Sequence, residues 1–341
     1  MDLDKPAATL SCGLPPGPEF ADLAVLAEQL GYARVWIYDS AALWEDPFVH
    51  LALAAARTSR IGLGTAVLIP QQRSVMAMAS ALATVARISD GRLLACFGTG
   101  FTARLTIGQR PMTLNALADY VTALRSLFAG ETTVVDGKPV RMLHADGLTA
   151  PRPIPVPLWL SVFGPRGTAM AGELADGIIG LPHPSLPTAT IVSGTVLDPG
   201  EDPGSARVRE AVGPWRVVDW HNAYAHGGAD AVDAMPGGRA WREELEALAP
   251  DGERHLLTFE GHVTHLPDRD RRLLDHIDVN TMIGEPARIA GNLARLAAAG
   301  FREVVYTPSG PDPARELTSF IAAADSGSGM NRAARAAVEA K

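Results

Sequence analysis

Residues 59–102 read Ser59-Arg-Ile-Gly-Leu-Gly-Thr-Ala-Val-Leu-Ile-Pro70, then a long Ala/Met-rich segment from Gln71 to Ser89, then Asp90-Gly-Arg-Leu-Leu-Ala-Cys-Phe-Gly-Thr-Gly-Phe-Thr102. The stretch holds an apolar run from Ile61 to Ile69, apolar residues at helical spacing (Val75, Met78, Leu82, Val85, Ile88), and a second apolar run from Leu93 to Phe97. Two buried strands joined by one helix lie parallel, with the crossover packed on the sheet. Ligands gather at the carboxyl ends of such strands. Thr65-Ala66-Val67 and Gly98-Thr99-Gly100 are therefore expected to face one site, where small residues let a flat, bulky group approach the backbone.

Working outward, the same alternation continues. Toward the N-terminus, Ala7 to Leu14 reads as a strand, Glu19 to Leu30 as a helix stopped by Gly31, and Arg34 to Tyr38 as a strand with Asp39 at its end. Asp46-Pro47 opens a helix whose apolar face is expected to run through Val49, Leu53 and Ala56. On the C-terminal side, Thr113 to Phe128 is helical up to Gly130, and Asp136-Gly137 marks a hairpin. The proline-rich segment Pro151 to Pro157 is an extended connector. Leu158 to Phe163 and Gly177 to Leu181 read as strands, with a helix from Arg166 to Leu174 between them.

From His183 to Asp278 the pattern blurs. Thr190 to Leu197 and Val217 to Trp220 read as strands, Ala240 to Leu248 and Arg269 to His276 as helices. Order returns with a helix from Glu285-Pro286 to Ala299, a strand from Glu303 to Thr307 and a helix from Asp312-Pro313 to Ala324. The alternation fits an open doubly wound sheet or a (β/α)8 barrel. The roughly eight strands, the length and the lack of a composition break suit a barrel, which typically needs about 250 residues plus insertions. On this reading residues 1–325 form one domain, with insertions at 132–157 and 183–278, and residues 326–341 form a flexible tail.

Composition narrows the function. The 341 residues are 47% hydrophobic and carry a formal net charge of −8 with no basic block, which speaks against a nucleic-acid partner. No apolar run approaches the ~20 residues of a membrane span, and no export signal is read in the first residues, so a cytoplasmic protein is expected. Cys12 and Cys96, the only cysteines, fall within predicted strands and read as reduced core residues.

Gly62-Leu-Gly64-Thr-Ala-Val67 is not a dinucleotide fingerprint, because Val67 stands where a third glycine belongs and the run lies inside a strand. There is no phosphate-binding Gly-x-x-x-x-Gly-Lys-Ser/Thr run, no Gly-x-Ser-x-Gly elbow and no metal-ligand spacing. Asp39, directly after Val35-Trp-Ile-Tyr38, sits at the ligand edge and is a candidate catalytic or cofactor-edge carboxylate, or else a loop-ordering cap. Trp44 is a candidate wall for a flat ring, or packing.

In Ser161-Val-Phe-Gly-Pro-Arg-Gly167, a strand ending at Gly164 opens a helix through Pro165, with Arg166 available for charge pairing. Free backbone N–H groups at a helix start suit a cofactor phosphate. His221, His226, His262 and His265 are either loop histidines or, for any that lines the pocket, candidate proton carriers.

These motifs, in this order, resemble the bacterial-luciferase-like superfamily of flavin and deazaflavin enzymes. The resemblance is carried by Val35 to Asp39, Ile61 to Pro70, Ile88-Ser-Asp-Gly-Arg-Leu93 with Gly98-Thr-Gly100, Gly164-Pro-Arg-Gly167 with Ala171 to Gly177, and Gly284-Glu-Pro286 with Ala299-Gly300. It implies a (β/α)8 TIM barrel with insertions and, commonly, a homodimer. Leu63-Gly-Thr-Ala-Val-Leu68 and Gly98-Thr-Gly100 look most like the branch that uses coenzyme F420, such as methylenetetrahydromethanopterin reductase. That branch implies a cis peptide at Ala66-Val67 behind the cofactor ring.

The resemblance further implies that Asp39 and Gly98 to Gly100 border the ring and that Gly164 to Gly167 hold the phosphate. Where sugar-phosphate dehydrogenases of the branch carry an acid–base His and Glu, this chain has Ser40 and Phe101. The expected activity is therefore hydride exchange between coenzyme F420 and a small organic molecule, as reduction of a C=C or C=N bond. A reduced-FMN monooxygenase is one alternative, and a flavin-binding barrel without turnover is another.

Overall fold

A computed structural model describes residues 8–145, 147–276 and 282–326 of the protein. The tail assigned to 326–341 and the end of the blurred region therefore lie largely outside the described residues. Eight parallel strands close into a barrel in chain order: β1 (Thr9–Leu14), β2 (Arg34–Ile37), β3 (Gly62–Leu68), β4 (Leu93–Phe97), β5 (Leu158–Val162), β6 (Gly177–Gly180), β7 (Thr188–Val192) and β8 (Glu303–Tyr306), which pairs back to β1. This is the expected (β/α)8 architecture.

The strands are buried on both faces, and where the interior is polar the groups pair, as Ser11 and Trp36 donate to Glu303. One face meets the surrounding helices, in a continuous core that includes Leu10, Leu63, Leu82, Phe97 and Leu160. The other fills the barrel interior with Trp36, Leu94, Cys96, Trp159, Ile179 and Val305. Large residues need small neighbours there: a Cβ on Gly64 would sit 2.5 Å from the Trp36 ring, and one on Gly177 would sit 2.2 Å from the Trp159 ring.

Helix boundaries follow local chemistry. Ser74 caps Val75–Ile88 through its side chain and Thr113 caps Leu114–Ala129, which Gly130 ends at φ 83°. The hairpin pairs Thr133–Val135 with Lys138–Val140, and Asp136 and Gly137 turn it at φ 49° and 72°. In Pro47–Arg57, however, His50, Leu51, Ala54 and Ala55 face the barrel, while Val49 and Leu53 are exposed. The expected apolar face is displaced because this helix is alanine-rich, and small side chains let it lie close to the sheet on the alanine side.

The blurred region supplies the other corrections. Val217–Trp220 is not a strand: Ala206–Arg216 and Val218–Asp233 are helices, and Val217, Trp220 and Tyr224 recur at helical spacing in a separate small core with Trp241 and Leu245. Thr190 to Leu197 is not one strand either. Barrel strand β7 ends at Val192, and Thr195–Val196 leaves to pair with Ile283–Gly284. Gly194 permits the departure, since a Cβ there would meet the Met282 carbonyl oxygen. Gly238–Leu248 is helical as expected, while Arg269 to His276 is divided between a short α-helix and a 3-10 segment. Between β6 and β7 only residues 181–187 intervene, with no helix.

Candidate active site

At the carboxyl end of the barrel a cavity of about 210 Å3 opens between strand ends and the helical insertion. Strand β2 delivers Tyr38, Asp39 and Ser40, followed by Trp44 in the next loop. Strand β3 delivers Ala66, Val67 and Ile69 at a point where its register against β4 slips between Thr65 and Leu68 and the Ala66–Val67 peptide is cis. Phe101 and Thr102 come from the short helix Phe101–Leu105 after β4. Trp215, Asn222, His262 and Val263 are lowered onto the mouth by the insertion.

Asp39 is buried and ion-paired. Its Oδ2 accepts from Arg73 Nη1 at 2.9 Å and from the Ile69 backbone N–H at 3.3 Å, and Arg73 Nη2 donates to Asp46 at 2.7 Å. Burial raises the Asp39 carboxyl above the usual carboxylate range, against the pull of Arg73 and the Ile69 N–H. Asp39 Oδ1 has no partner among the described residues, and the same holds for Tyr38 OH, Trp44 Nε1, Trp215 Nε1 and Asn222 Oδ1. Buried polar atoms are nearly always hydrogen-bonded. Five unpartnered ones lie on residues that line this one cavity, which makes it the candidate ligand site. Tyr38 ties two of its walls together, with ring centroids 5.3 Å from Trp44 and 6.4 Å from Trp215.

A second cavity of about 300 Å3 lies at the start of the helix Pro165–Leu174, lined by Thr99, Ser161, Gly164, Pro165, Arg166 and Gly167 among others. Gly164 is the N-cap, without a side-chain hydrogen bond to the helix start, and nothing lies within 4 Å of where its Cβ would be. Arg166 is exposed and makes no ion pair or hydrogen bond among the described residues. Gly98 separates the two cavities: a Cβ there would meet Val67 Cγ2 at 2.7 Å and Ser161 Cβ at 3.9 Å.

The structure thus brings Asp39, Trp44, Ala66 and Val67 to the first cavity and Thr99, Ser161 and Gly164 to Gly167 to the second. Thr65 and Gly100 line neither. Thr65 Oγ1 is engaged by β4, accepting from the Cys96 N–H at 2.9 Å. Gly100, at φ 87°, turns the chain into the Phe101 helix, with Arg104 Cγ 2.6 Å from where a Cβ would lie.

The sequence reading missed Arg73, Trp215 and Asn222 as site residues. Only Arg73 carried a signal, as a cation just beyond the third strand. Of the four histidines singled out, His262 lines the cavity and His221 lies buried behind it. Exposed His226 packs its ring on Phe101 at 4.4 Å, and exposed His265 contacts Thr264. His221 and His262 face each other Nδ1 to Nδ1 at 3.0 Å. His221 Nε2 lies 3.0 Å from Asp270 Oδ2, and His262 Nε2 lies 3.4 Å from Thr102 Oγ1.

The chain is similar to known proteins in sequence and in fold. The chain is 30% identical over 326 residues to the F420-dependent glucose-6-phosphate dehydrogenase of Microbacterium testaceum, covering 89% of this chain and 91% of that one. It is 27% identical over 326 residues to the enzyme of the same name from Kineococcus radiotolerans, with 90% and 91% covered. The coenzyme F420-dependent tetrahydromethanopterin reductase of Methanopyrus kandleri shares the fold, with a TM-score of 0.61 at 17% identity over 93% of this chain and 97% of that one. The family model of luciferase-like monooxygenases matches residues 3–196, more than half of the chain and all of the barrel through β7. The chain belongs to the luciferase-like monooxygenase family.

Proposed function

We propose that the chain is an oxidoreductase that exchanges a hydride between coenzyme F420 and a neutral, largely apolar organic substrate, acting as a reductase of a C=C or C=N bond. The names of its relatives support the cofactor. The observation that carries the substrate class is the lining of the first cavity, which holds Tyr38, Trp44, Phe101 and Trp215 but no lysine or arginine. A phosphorylated sugar buried there would lack a counter-charge, and an unpaired buried anion costs several kcal/mol. Asp39, the one carboxylate in the lining, disfavours an anion further.

The residues present fit a long deazaflavin with a ring at one end and phosphate nearer the other. Ala66, Val67 and Gly98 would back the ring, Asp39 would border its polar edge, and Thr99, Ser161 and the Gly164 to Gly167 helix start would take the phosphate. When bound, the deazaflavin gives or takes the hydride, and the protein contributes position and exclusion of water. Trp44, on the cavity wall, would orient the substrate against the ring. Ser40 and Phe101 offer no titratable group at neutral pH, which fits a reduction better than oxidation of a sugar or simple alcohol.

Equilibrium titration of the purified protein with F420 and FMN side by side tests this reading. Tight F420 binding with much weaker FMN binding is expected, followed by oxidation of reduced F420 with unsaturated acceptors. The reverse preference would overturn it in favour of a reduced-FMN monooxygenase. Bound F420 that no acceptor oxidises would leave a carrier barrel.

A further inference from the structure

We propose that His262 is the proton-exchanging residue of the cavity, and that Asp270 and His221 form a buried relay that decides which of its ring nitrogens carries the proton. The proposal rests on the hydride-transfer reading, which needs a proton to accompany each hydride. No other residue of the cavity lining is an imidazole, and Asp39, the one carboxylate there, is held through its Oδ2 in the ion pair with Arg73.

The relay is a continuous line of buried groups. Asp270 is fully buried, and its Oδ1 accepts from Trp241 Nε1 at 2.7 Å and lies 3.3 Å from Arg269 Nε. Its Oδ2 takes His221 Nε2 at 3.0 Å. Burial opposes charge on Asp270, but the hydrogen bonds from His221 and Trp241, with Arg269 alongside, hold its carboxyl below the ordinary value. An ionised carboxylate can only accept, so His221 must carry its proton on Nε2. That leaves the two facing Nδ1 atoms to share a single proton.

Two states follow. In the first, His221 is neutral with a bare Nδ1, His262 donates Nδ1–H to it, and His262 Nε2 presents a lone pair toward Thr102 and the cavity. In the second, a proton has entered at His262 Nε2 and the Nδ1 proton has crossed to His221. His221 is then an imidazolium against Asp270, and His262 is again neutral, now with Nε2–H as a donor. The two states differ by one proton, and His262 bears no net charge in either. Burial, then the neighbouring His221, push the His262 pKa down to about 3, in keeping with a ring that passes a proton on instead of holding it.

In the reduction, one atom of the unsaturated bond gains the hydride and the other gains the Nε2 proton of His262. As that proton leaves, the Nδ1 proton of His221 crosses to His262 Nδ1 in the same event, so His262 stays neutral and the chain is back in the first state. The charged groups near the pair are Asp270 and Arg269, with Glu260 3.7 Å from Arg269; Trp241, Phe259 and Thr102 pack on the rings without charge. The backbone holds the ring in place at a cost: Val263, a β-branched residue, sits at φ 54°, within a turn closed by hydrogen bonds from Thr264 and His265 N–H to the Gly261 carbonyl. Such left-handed conformations persist where the surroundings over-determine them.

Nitrogen-15 NMR of the histidine rings in the ligand-free protein tests the relay, with H262Q and H221Q assigning the signals. As the pH is lowered, the protonated nitrogen of His262 should switch from Nδ1 to Nε2 while that ring stays neutral, the added proton being carried on the His221 ring. A fixed His262 tautomer, or a His262 that itself becomes cationic, would overturn the proposal. Asp270→Asn should abolish the switch, which a merely structural role for Asp270 would not do. Should that variant not fold, Trp241→Phe, which strips one donor from Asp270, should move the switch to higher pH.

With F420 bound, H262Q should lose at least about 100-fold in turnover at unchanged F420 affinity; full turnover would overturn the proposal. Wild-type protein that shows the switch but does not bind F420 would instead defeat the cofactor reading alone.

Discussion

The Arg73 guanidinium sits 2.9 Å from the buried Asp39 carboxylate and uses its other terminal nitrogen to reach Asp46. The two residues belong to different βα units, so the ion pair stitches the end of β2 to the segment after β3 beneath the cavity. Arg73→Ala leaves Asp39 buried without its counter-charge, and breaking a buried pair from one side costs about 3–5 kcal/mol.

The pH dependence of that variant has a definite sign. Burial already raises the Asp39 carboxyl, and loss of Arg73 raises it further. A carboxyl with a raised folded-state pKa is most favourable to folding at low pH, and that contribution is lost as pH rises through the folded value. Urea unfolding at pH 7 and pH 5 should therefore show a smaller deficit for Arg73→Ala at pH 5. An equal deficit at both would show that Asp39 does not carry the penalty.

Glu28 behaves in the opposite direction. It accepts backbone N–H groups from Ser59, Arg60 and Ile61 at the entrance to β3. Burial works to raise its carboxyl, yet these donors together bring it below the ordinary value. Glu28→Gln should cost about 1–2 kcal/mol at pH 7. The difference from wild type should shrink as pH falls below about 4.5, because the advantage of a depressed carboxyl disappears on protonation. Thermal melts across pH 3.5–7 measure it.

Arg166 is exposed and unpaired in the described structure, so its removal should leave folding untouched within about 0.5 kcal/mol. Arg166→Ala should nonetheless weaken F420 binding about tenfold, a loss of about 1.4 kcal/mol. Fluorescence titration and a melt on the same sample check both halves, and unchanged affinity would remove Arg166 from the phosphate end.

Gly98 stands between the two cavities with Val67 pressed close. Gly98→Ala places a methyl 2.7 Å from Val67 Cγ2, and overpacking of this kind typically costs about 1–3 kcal/mol. Since Val67 would be displaced into the first cavity, F420 affinity should fall with stability. Intact affinity in a folded variant would place the ring elsewhere.

Much of this arrangement is legible along the chain because it is encoded locally. Val35 to Tyr38 and Leu93 to Phe97 announce strands by continuous apolarity. Thr113 and Gly130 announce helix ends by their own hydrogen bonds and backbone freedom. Val217 to Trp220 defeated that reasoning, since two adjacent valines look like a strand until Trp220 and Tyr224 find Trp241 and Leu245. Val49 and Leu53 defeated it on a helix whose small alanines, not its largest apolar residues, set the packed face.

The amino-acid sequence alone indicated parallel strands alternating with helices, as in a barrel or a doubly wound sheet, and the strand edge at which a site is expected. Apolar period and turn chemistry act over a few residues and need no partner to be read. Tertiary structure decided which residues close the mouth and how they are charged. Arg73 reaches Asp39 across 34 positions, and His262 meets Thr102 across 160. Burial and ion pairing are properties of such encounters, and neither partner carries any mark of them until the chain has folded.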